Sequence, residues 1–591
     1  METQQLREHL SDTATANIEK WLTEPKYAEY KQELVEMIEA QRWQDLEDAF
    51  FKVVEFGTGG RRGTTGVGSN RINRVTMGES AQALCWYARE ADPEAPAKGV
   101  VIACDTRLTS EELSKYVASV CAANGFKTYI FDSFRSTPEL SFAVRQLGCA
   151  VGIVVSASHN PPPDNGFKAY WNDGAQLVAP HDKGVLAAAE KITDIASKDF
   201  DEAVSAGEIV ILGKEIDKAY IETVVAQAEG TDRDLSIVYS PLHGAGQTNT
   251  LPVLRAAGFG DVKVVEAQMT PDGNFPTIES GRANPEKKVA NDRAVALMMS
   301  EEADIAITND PDADRLGVMV RQGNSPVYLT GNQTAVLATD YTFKKRQAKG
   351  QLDGKQFIAK TIVTTDMMTA LADKYGVQCY TNMLVGFKFI GEAIRNREGK
   401  QEFLLGAEES FGLLKGSYAR DKDGASGALP IAEYAAELKK DGKTLYDRLL
   451  ELYGEYGVYA ERIETVECPG ANGFEQMQHI MNTLRAHPLL QIEDVSVSAV
   501  LDYQMLTKKD LATGEVTKID CTVGNVLVLE CENEPRRRFT IRPSGTEPLL
   551  KIYTQWYEPV QDTARVEEQF NDLHKRLEGL GETLEGLLLN I

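Results

Sequence analysis

At 591 residues the chain is longer than one hydrophobic core supports, which points to about three to five domains of ~100–200 residues each. Hydrophobic content of 42% and charged content of 26% are those of a soluble globular protein. A net charge of −25 excludes nucleic acid as a partner, because a phosphate backbone needs a basic footprint. Any anionic substrate must then be met by a local island of Arg and Lys inside an acidic field. No apolar run approaches the ~18 residues of a membrane span. The start, Met1-Glu-Thr-Gln-Gln-Leu-Arg-Glu8, has neither the basic opening nor the apolar core of a leader, so a cytoplasmic chain without a membrane partner is expected. The eight cysteines (Cys85, Cys104, Cys121, Cys149, Cys379, Cys468, Cys521 and Cys531) form no Cys-x-x-Cys pair and no zinc spacing, and read as reduced thiols.

In chain order, the first fifty residues place Leu6, Leu10, Ile18, Trp21 and Leu22, then Leu34, Met37 and Ile38, at helical spacing, which predicts two amphipathic helices. An α/β rhythm follows, with strands at Val100–Cys104, Lys127–Phe131 and Val151–Val155 and a helix over Ser110–Asn124. A second set begins near residue 217, with strands at Ser236–Ser240, Val262–Val265 and Ile305–Thr308. A third, from about 325, carries Phe357–Val363 and Phe403–Leu405. From about 459 longer β-rich stretches and one terminal amphipathic helix near Val566–Leu580 predict a smaller α+β domain.

The loops between these elements carry the chemistry. Ser156-Ala-Ser158-His159-Asn160-Pro161 leaves the buried strand 151–155 and presents a hydroxyl at a strand's carboxyl end, where open α/β sheets bind ligands. Asn160-Pro161 and the two following prolines stiffen it. Ser158 and His159 are adjacent and so are not expected to face one another, which argues against a hydrolase dyad; Gly-x-Ser-x-Gly is absent as well.

Asn309-Asp310-Pro-Asp312-Ala-Asp314-Arg315 follows the next strand with three alternating carboxylates, oxygen donors that suit Mg²⁺. An EF-hand is excluded by Arg315 and Arg321 at its sixth and twelfth positions. Gly406-Ala-Glu408-Glu409-Ser410-Phe411-Gly412 offers a carboxylate and a hydroxyl for sugar hydroxyl groups. Arg542-Pro-Ser544-Gly545-Thr546 can surround a phosphate. Gly57–Gly63 is glycine-rich and basic but lacks the Walker ending. With Lys168, Arg315, Lys388, Arg420, Lys422 and Arg542, its arginines supply the cationic island the acidic surface demands.

Together these loops, in this order from about residue 55 to 556, resemble the α-D-phosphohexomutase superfamily of phosphoglucomutases and phosphomannomutases. Asp164–Gln176 and Pro180-His-Asp-Lys-Gly184 look most like its phosphoglucomutase-2 and phosphopentomutase branch. The resemblance implies three similar three-layer α/β domains with mixed sheets plus a C-terminal α+β domain around a central cleft. The divisions are 1–216 (N-terminal helices and the phosphoserine loop), 217–324 (metal loop), 325–458 (sugar loop) and 459–591 (phosphate loop). It implies that Ser158 carries the phosphoryl group and that Asp310, Asp312 and Asp314 hold Mg²⁺ together with a phosphoserine oxygen. Arg62, His159, Lys168 and Arg315 would surround the transferred group, with Lys168 as proton shuttle. Glu408, Ser410, Lys388 and Lys422 would face the sugar, and Arg542, Ser544, Gly545 and Thr546 would bind the second phosphate.

The implied reaction interconverts hexose 1-phosphate and hexose 6-phosphate, in glucose and mannose forms, through a hexose 1,6-bisphosphate that also serves as activator. Phosphopentomutase or glucose 1,6-bisphosphate synthase activity is the near alternative. An Asp-dependent sugar phosphatase is a distant one, and it leaves the Ser158 loop unexplained. Two departures from the family stand out: Phe411 where some members carry a histidine, and Val385 where relatives usually have threonine.

Overall fold

The computed structural model describes residues 6–54, 60–469, 472–545 and 548–591. The chain divides into two compact units. The first comprises residues 1–328 with 391–396 and 412–433, and the second 329–390, 397–411 and 434–591.

In the first unit the N-terminal segment forms helices Asp12–Thr23, Lys31–Glu39 and Trp43–Phe50 with a 3₁₀ turn at Pro25–Tyr30, rather than two helices. The breaks have local causes. Pro25 opens the 3₁₀ turn and has no N–H to continue the preceding helix, and Gln41 at φ 54° ends the next one. Trp21, Leu34, Ile38, Leu46 and Phe50 pack with Val67 and Val75, so this bundle shares its core with the start of the first α/β domain.

That domain is built on strands β1 (Gly60–Thr64), β2 (Val100–Cys104), β3 (Thr128–Phe131), β4 (Val151–Val155), β5 (Asp164–Trp171) and β6 (Ile209–Leu212) in the order β1-β5-β4-β2-β3-β6. The four strands β4, β2, β3 and β6 are parallel, while β5 runs antiparallel to β4, and β1 to β5. Side chains alternate across β2: Val100 and Ile102 pack under helices Arg74–Ala91 and Ser110–Ala123, and Val101 and Ala103 under Thr137–Leu147 and Lys214–Val225. Burial on both faces explains why these strands read as unbroken apolar runs.

The second sheet, β7 (Ser236–Ser240), β8 (Asp261–Val264), β9 (Ile305–Asn309), β10 (Leu316–Gln322) and β11 (Ser325–Leu329), has the order β11-β10-β9-β7-β8. Its β7 is parallel to β8 and β9, and β9 turns back antiparallel into β10, with Asn309 opposite Leu316. The three aspartates therefore occupy the tip of a hairpin at the carboxyl end of β9.

In the second unit, β12 (Gln356–Lys360) lies between and parallel to β13 (Gln378–Tyr380) and β14 (Glu402–Ala407). The strand expected to reach Val363 stops at Lys360, and the chain turns through Thr361–Thr365. The C-terminal domain is an antiparallel sheet whose longest neighbours are Val458–Glu467, Leu549–Glu558 and Glu534–Pro543. It carries helix Val566–Leu589 and a second helix, Gly473–Ala486, where one alone was expected. Met477, Ile480, Met481 and Leu484, buried at helical spacing, account for that second helix. The fold is thus three α/β domains, the first two on mixed sheets, followed by an α+β domain.

Candidate active site

Strand β4 ends at Val155, and the loop to β5 is tied by its own hydrogen bonds. The Asn160 N–H donates to Ala157 C=O at 3.2 Å, the Asp164 N–H to Pro161 C=O at 3.1 Å, and Asn160 Nδ2 to Asp164 Oδ2 at 3.0 Å. Ser158 sits in the left-handed region at φ 52°, a conformation that costs a non-glycine residue ~1–2 kcal/mol. It is held there because its N–H donates to Ser156 Oγ at 2.8 Å and its carbonyl accepts from the buried Arg107 guanidinium. The left-handed turn corrects the expectation about neighbours: Ser158 Oγ lies 3.1 Å from His159 Nδ1. Adjacent side chains diverge in extended or helical backbone, and a positive φ between them removes that rule. Ser158 is 2% exposed and donates its hydroxyl hydrogen to Asp310 Oδ2 at 2.6 Å.

The aspartate hairpin delivers its carboxylates to the same point. Ala313 at φ 54° folds the tip back, so that ligand oxygens of Asp310, Asp312 and Asp314 all lie within 4.8 Å of one another. Main-chain clamps fix it. Asn309 Nδ2 donates to Arg315 C=O at 2.7 Å, Ala245 N–H to Pro311 C=O at 2.8 Å and Gly424 N–H to Ala313 C=O at 3.1 Å. Only glycine fits at 424, since a Cβ there would come 2.2 Å from Asn309 Nδ2. Asp310 Oδ1 accepts the Arg315 N–H at 3.0 Å. Asp312 Oδ2 accepts from the Thr137 hydroxyl at 2.5 Å and pairs with Lys168, while Asp314 Oδ2 pairs with Lys422 at 2.9 Å and Lys168 at 3.4 Å.

The second oxygens of Asp312 and Asp314 are buried without a hydrogen-bond partner. Burial, with Asp314 and Asp312 beside it, pushes the Asp310 carboxyl well above the usual range. Burial acts the same way on Asp312, but Lys168, Thr137 and Lys422 outweigh it and hold that carboxyl low. Three converging hard donors, two with an unpartnered buried oxygen, fit a divalent cation. His159 is pushed well below the usual histidine range by burial and by Arg315 and Arg62, so it is neutral at pH 7.

The first unit thus gathers Ser158, His159, Lys168, Lys422, Arg315 and the three aspartates at one place. Arg315 Nη1 is paired with Glu286. Arg62 lies exposed on β1 opposite Gly166 and acts on His159 by its charge. Lys422, assigned to the sugar from the sequence, pairs with Asp314 at 2.9 Å. Arg420 is fully buried, with Nη1 on the Ser417 and Ala419 carbonyls.

In the second unit, Glu408 follows β14 directly and is 4% exposed, with Ser410 half-buried two residues on. The Lys388 ammonium lies 5.0 Å from the Phe389 ring centroid. Arg542 stands on the strand opposite Lys551, the Ser544 N–H donates to Leu549 C=O at 2.8 Å, and Gly545 is exposed. Thr546, and Gly57 to Gly59 of the basic loop, lie outside the described residues.

Two residues beside the site went unread in the sequence: Thr137, the first residue of its helix, and Arg107. The signal for Arg107 was present, since Asp105-Thr-Arg107 leaves the carboxyl end of β2 as the serine loop leaves β4.

Models of the phosphoglucomutase/phosphomannomutase α/β/α domains I, II and III match residues 53–196, 218–323 and 330–456. The chain belongs to the phosphoglucomutase/phosphomannomutase family. A phosphoglucomutase of Staphylococcus aureus (strain MRSA252) is 34% identical over 519 residues, 87% of this chain and 92% of that one. Among solved structures, the Paramecium phosphoglucomutase parafusin in its open form aligns with a TM-score of 0.64 at 18% identity, over 90% of this chain and 95% of its own. A putative phosphomannomutase from Thermus thermophilus aligns at 0.61 and 21%, over 89% and 99%. As a member of this family the chain is an isomerase of the intramolecular phosphotransferase type, in the α-D-phosphohexomutase superfamily. Among the described residues, no helix is long and apolar enough to cross a membrane.

Proposed function

We propose that this chain interconverts glucose 1-phosphate and glucose 6-phosphate, and the corresponding mannose phosphates, with Ser158 as the phosphoryl carrier. One observation supports it above the others: a buried serine hydroxyl 2.6 Å from one of three converging, buried aspartates. Ser158 in its phosphorylated form gives the phosphoryl group to a sugar hydroxyl, the bisphosphate turns over, and the second phosphate returns to Ser158. This chemistry rests on positioning and charge neutralisation more than on a strong base, which agrees with a neutral His159. Mg²⁺, held by Asp310, Asp312 and Asp314, would neutralise charge on the phosphoryl group when bound.

The protein's own groups do the rest. Lys168 and Lys422 place two ammonium groups among three carboxylates, Arg62 and Arg315 add positive charge around His159, and Lys168 is the group we assign to carry the hydroxyl proton. Glu408, Ser410 and Lys388 are assigned to the sugar, and Arg542, Ser544, Gly545 and Thr546 to the second phosphate. The domain divisions we propose fall at residues 216, 324 and 458. Hexose 1,6-bisphosphate would act as activator by phosphorylating Ser158.

The test is turnover of glucose 1-phosphate, mannose 1-phosphate and ribose 1-phosphate, each with and without added glucose 1,6-bisphosphate. Glucose should be fastest and bisphosphate-stimulated, with Ser158→Ala below about 0.1% of wild-type turnover. Faster ribose turnover would reassign the enzyme to pentoses, and free phosphate released in step with substrate loss would make it a phosphatase.

A further inference from the structure

We propose that Arg107 is a positioning residue for phosphoryl transfer, setting the backbone of Ser158 through its carbonyl; this rests on Ser158 being the phosphoryl carrier. The Arg107 side chain is entirely buried. Its guanidinium is directed at the main chain of the serine loop. Nη1 donates to the Pro161 and Asp164 carbonyls at 2.8 Å each, and Nη2 to the Ser158 and Asn160 carbonyls at 2.5 Å each. Nε faces Asp105 Oδ2 at 3.4 Å, and Asp105 Oδ1 accepts the Arg107 N–H at 3.0 Å and the Ser110 hydroxyl at 2.6 Å. The four N–H groups on Nη1 and Nη2 go to carbonyls spread over seven residues of one loop, while Nε makes only the ion-pair contact with Asp105.

The consequence for chemistry lies at residue 158. Its carbonyl is fixed by Arg107 and its N–H by Ser156 Oγ, so both peptide groups flanking its positive φ are held. That φ is what brings Oγ to Asp310 and to His159 Nδ1. A planar fork with donors in fixed directions can gather four carbonyls; a lysine, with three donors on a point charge, cannot reproduce the arrangement.

Arg107 is itself braced by the second α/β domain. The preceding Thr106 hydroxyl donates to His243 C=O at 2.9 Å, and the Phe275 ring lies 5.4 Å from the guanidinium. Gly273 approaches so closely that a Cβ on it would come 2.5 Å from the Leu108 nitrogen and 2.8 Å from Arg107 Cα. The loop that carries Ser158 and the domain that carries the aspartates are therefore referenced to one residue.

The test is steady-state kinetics of Arg107→Lys and Arg107→Ala with glucose 1-phosphate. We expect kcat lower by at least tenfold, KM within about twofold of wild type, and partial recovery of Arg107→Ala turnover by millimolar guanidinium but not by equal potassium chloride. Thermal melting and intact-mass measurement of the phosphorylated fraction establish that the protein assayed is folded and loaded. Ser156→Ala, which frees the other end of residue 158, should show the same loss of kcat at constant KM, and it decides the matter if the Arg107 variants do not fold. The proposal is overturned if the folded variants keep kcat within twofold of wild type, or if guanidinium restores nothing and KM rises in proportion to the loss. Ser158→Ala keeps the two ideas apart: if it stays active the carrier assignment fails, and if it is inactive while folded Arg107 and Ser156 variants are normal, only the positioning role fails.

Discussion

Replacing Thr137 by valine should weaken cation binding while leaving the aspartates in place. The Thr137 hydroxyl is fully buried and donates to Asp312 Oδ2 at 2.5 Å, and the Thr137 N–H independently donates to the Asp312 carbonyl at 2.9 Å. Valine keeps the size and the main-chain bond and deletes only the donor. A hydrogen bond to a charged acceptor contributes about 1.5–3 kcal/mol. If that loss falls on the orientation of Asp312, cation affinity drops roughly 10–100-fold at about 1.4 kcal/mol per tenfold. Losses of ~10–100-fold are also typical when a ligand's supporting hydrogen bond is removed. The assay is half-saturating Mg²⁺ for turnover, paired with Mn²⁺ binding by calorimetry without sugar phosphate, so that one readout does not depend on catalysis. Thr137→Ser should restore both values. If Thr137→Val leaves both within twofold of wild type, Thr137 does not steer Asp312 and the reading of the triad as a supported cation site is wrong.

Chelation of divalent cations should abolish turnover without changing far-ultraviolet circular dichroism, and Mg²⁺ should restore it; turnover that survives chelation would remove the metal from the reaction. A second expectation concerns Asp366 in the second unit, which pairs with Lys360 at 2.9 Å and Arg538 at 2.6 Å. Burial alone would raise its carboxyl, but these two cations hold it well below the ordinary range. Its contribution is therefore complete above about pH 4, where the unfolded carboxyl is ionised, and is lost as pH falls toward the folded value. Asp366→Asn should cost about 3 kcal/mol at pH 7, because two mostly buried cations lose their partner. The gap to wild type should narrow below about pH 4, and a gap that stays constant on acidification from neutral pH would refute the assignment.

Much of the site was legible because its chemistry is written in short runs at strand ends. Val151–Val155 and Ile305–Thr308 are buried on both faces and so appear as plain apolar stretches, and each leads straight into a polar loop. The second helix of the C-terminal domain was readable at Met477 to Leu484 but was hidden by the β-rich segments on either side. The pairing of Lys422 with Asp314 was not legible because nothing in Arg420-Asp-Lys-Asp-Gly424 tells which of its charges faces that carboxylate; the Gly424 N–H on the Ala313 carbonyl brings the two loops together in space alone. Arg107 and Thr137 act on main chain and on a carboxylate from segments 51 and 175 residues away, distances that no local pattern encodes.

Local rules fail in this chain where the backbone is left-handed. Ser158 at φ 52°, Ala313 at 54° and Phe411 at 67° sit in the serine, aspartate and Glu408–Ser410 loops, and none is a glycine. Each carries a cost of ~1–2 kcal/mol that an ordinary turn would avoid by using glycine or asparagine. At residue 158 the reason is plain, since the carrier must be a serine. At Ala313 a reversed backbone is needed so that Asp312 and Asp314 return to the oxygen of Asp310 while a small, fully buried Cβ fills the tip. Strain is tolerated in both places because the surroundings over-determine it, through Arg107 and Ser156 around one loop and Gly424 and Ala245 around the other. The same two loops defeat expectations drawn from neighbouring residues and hold the reacting hydroxyl against the carboxylates, because a single feature, the positive φ, produces both effects.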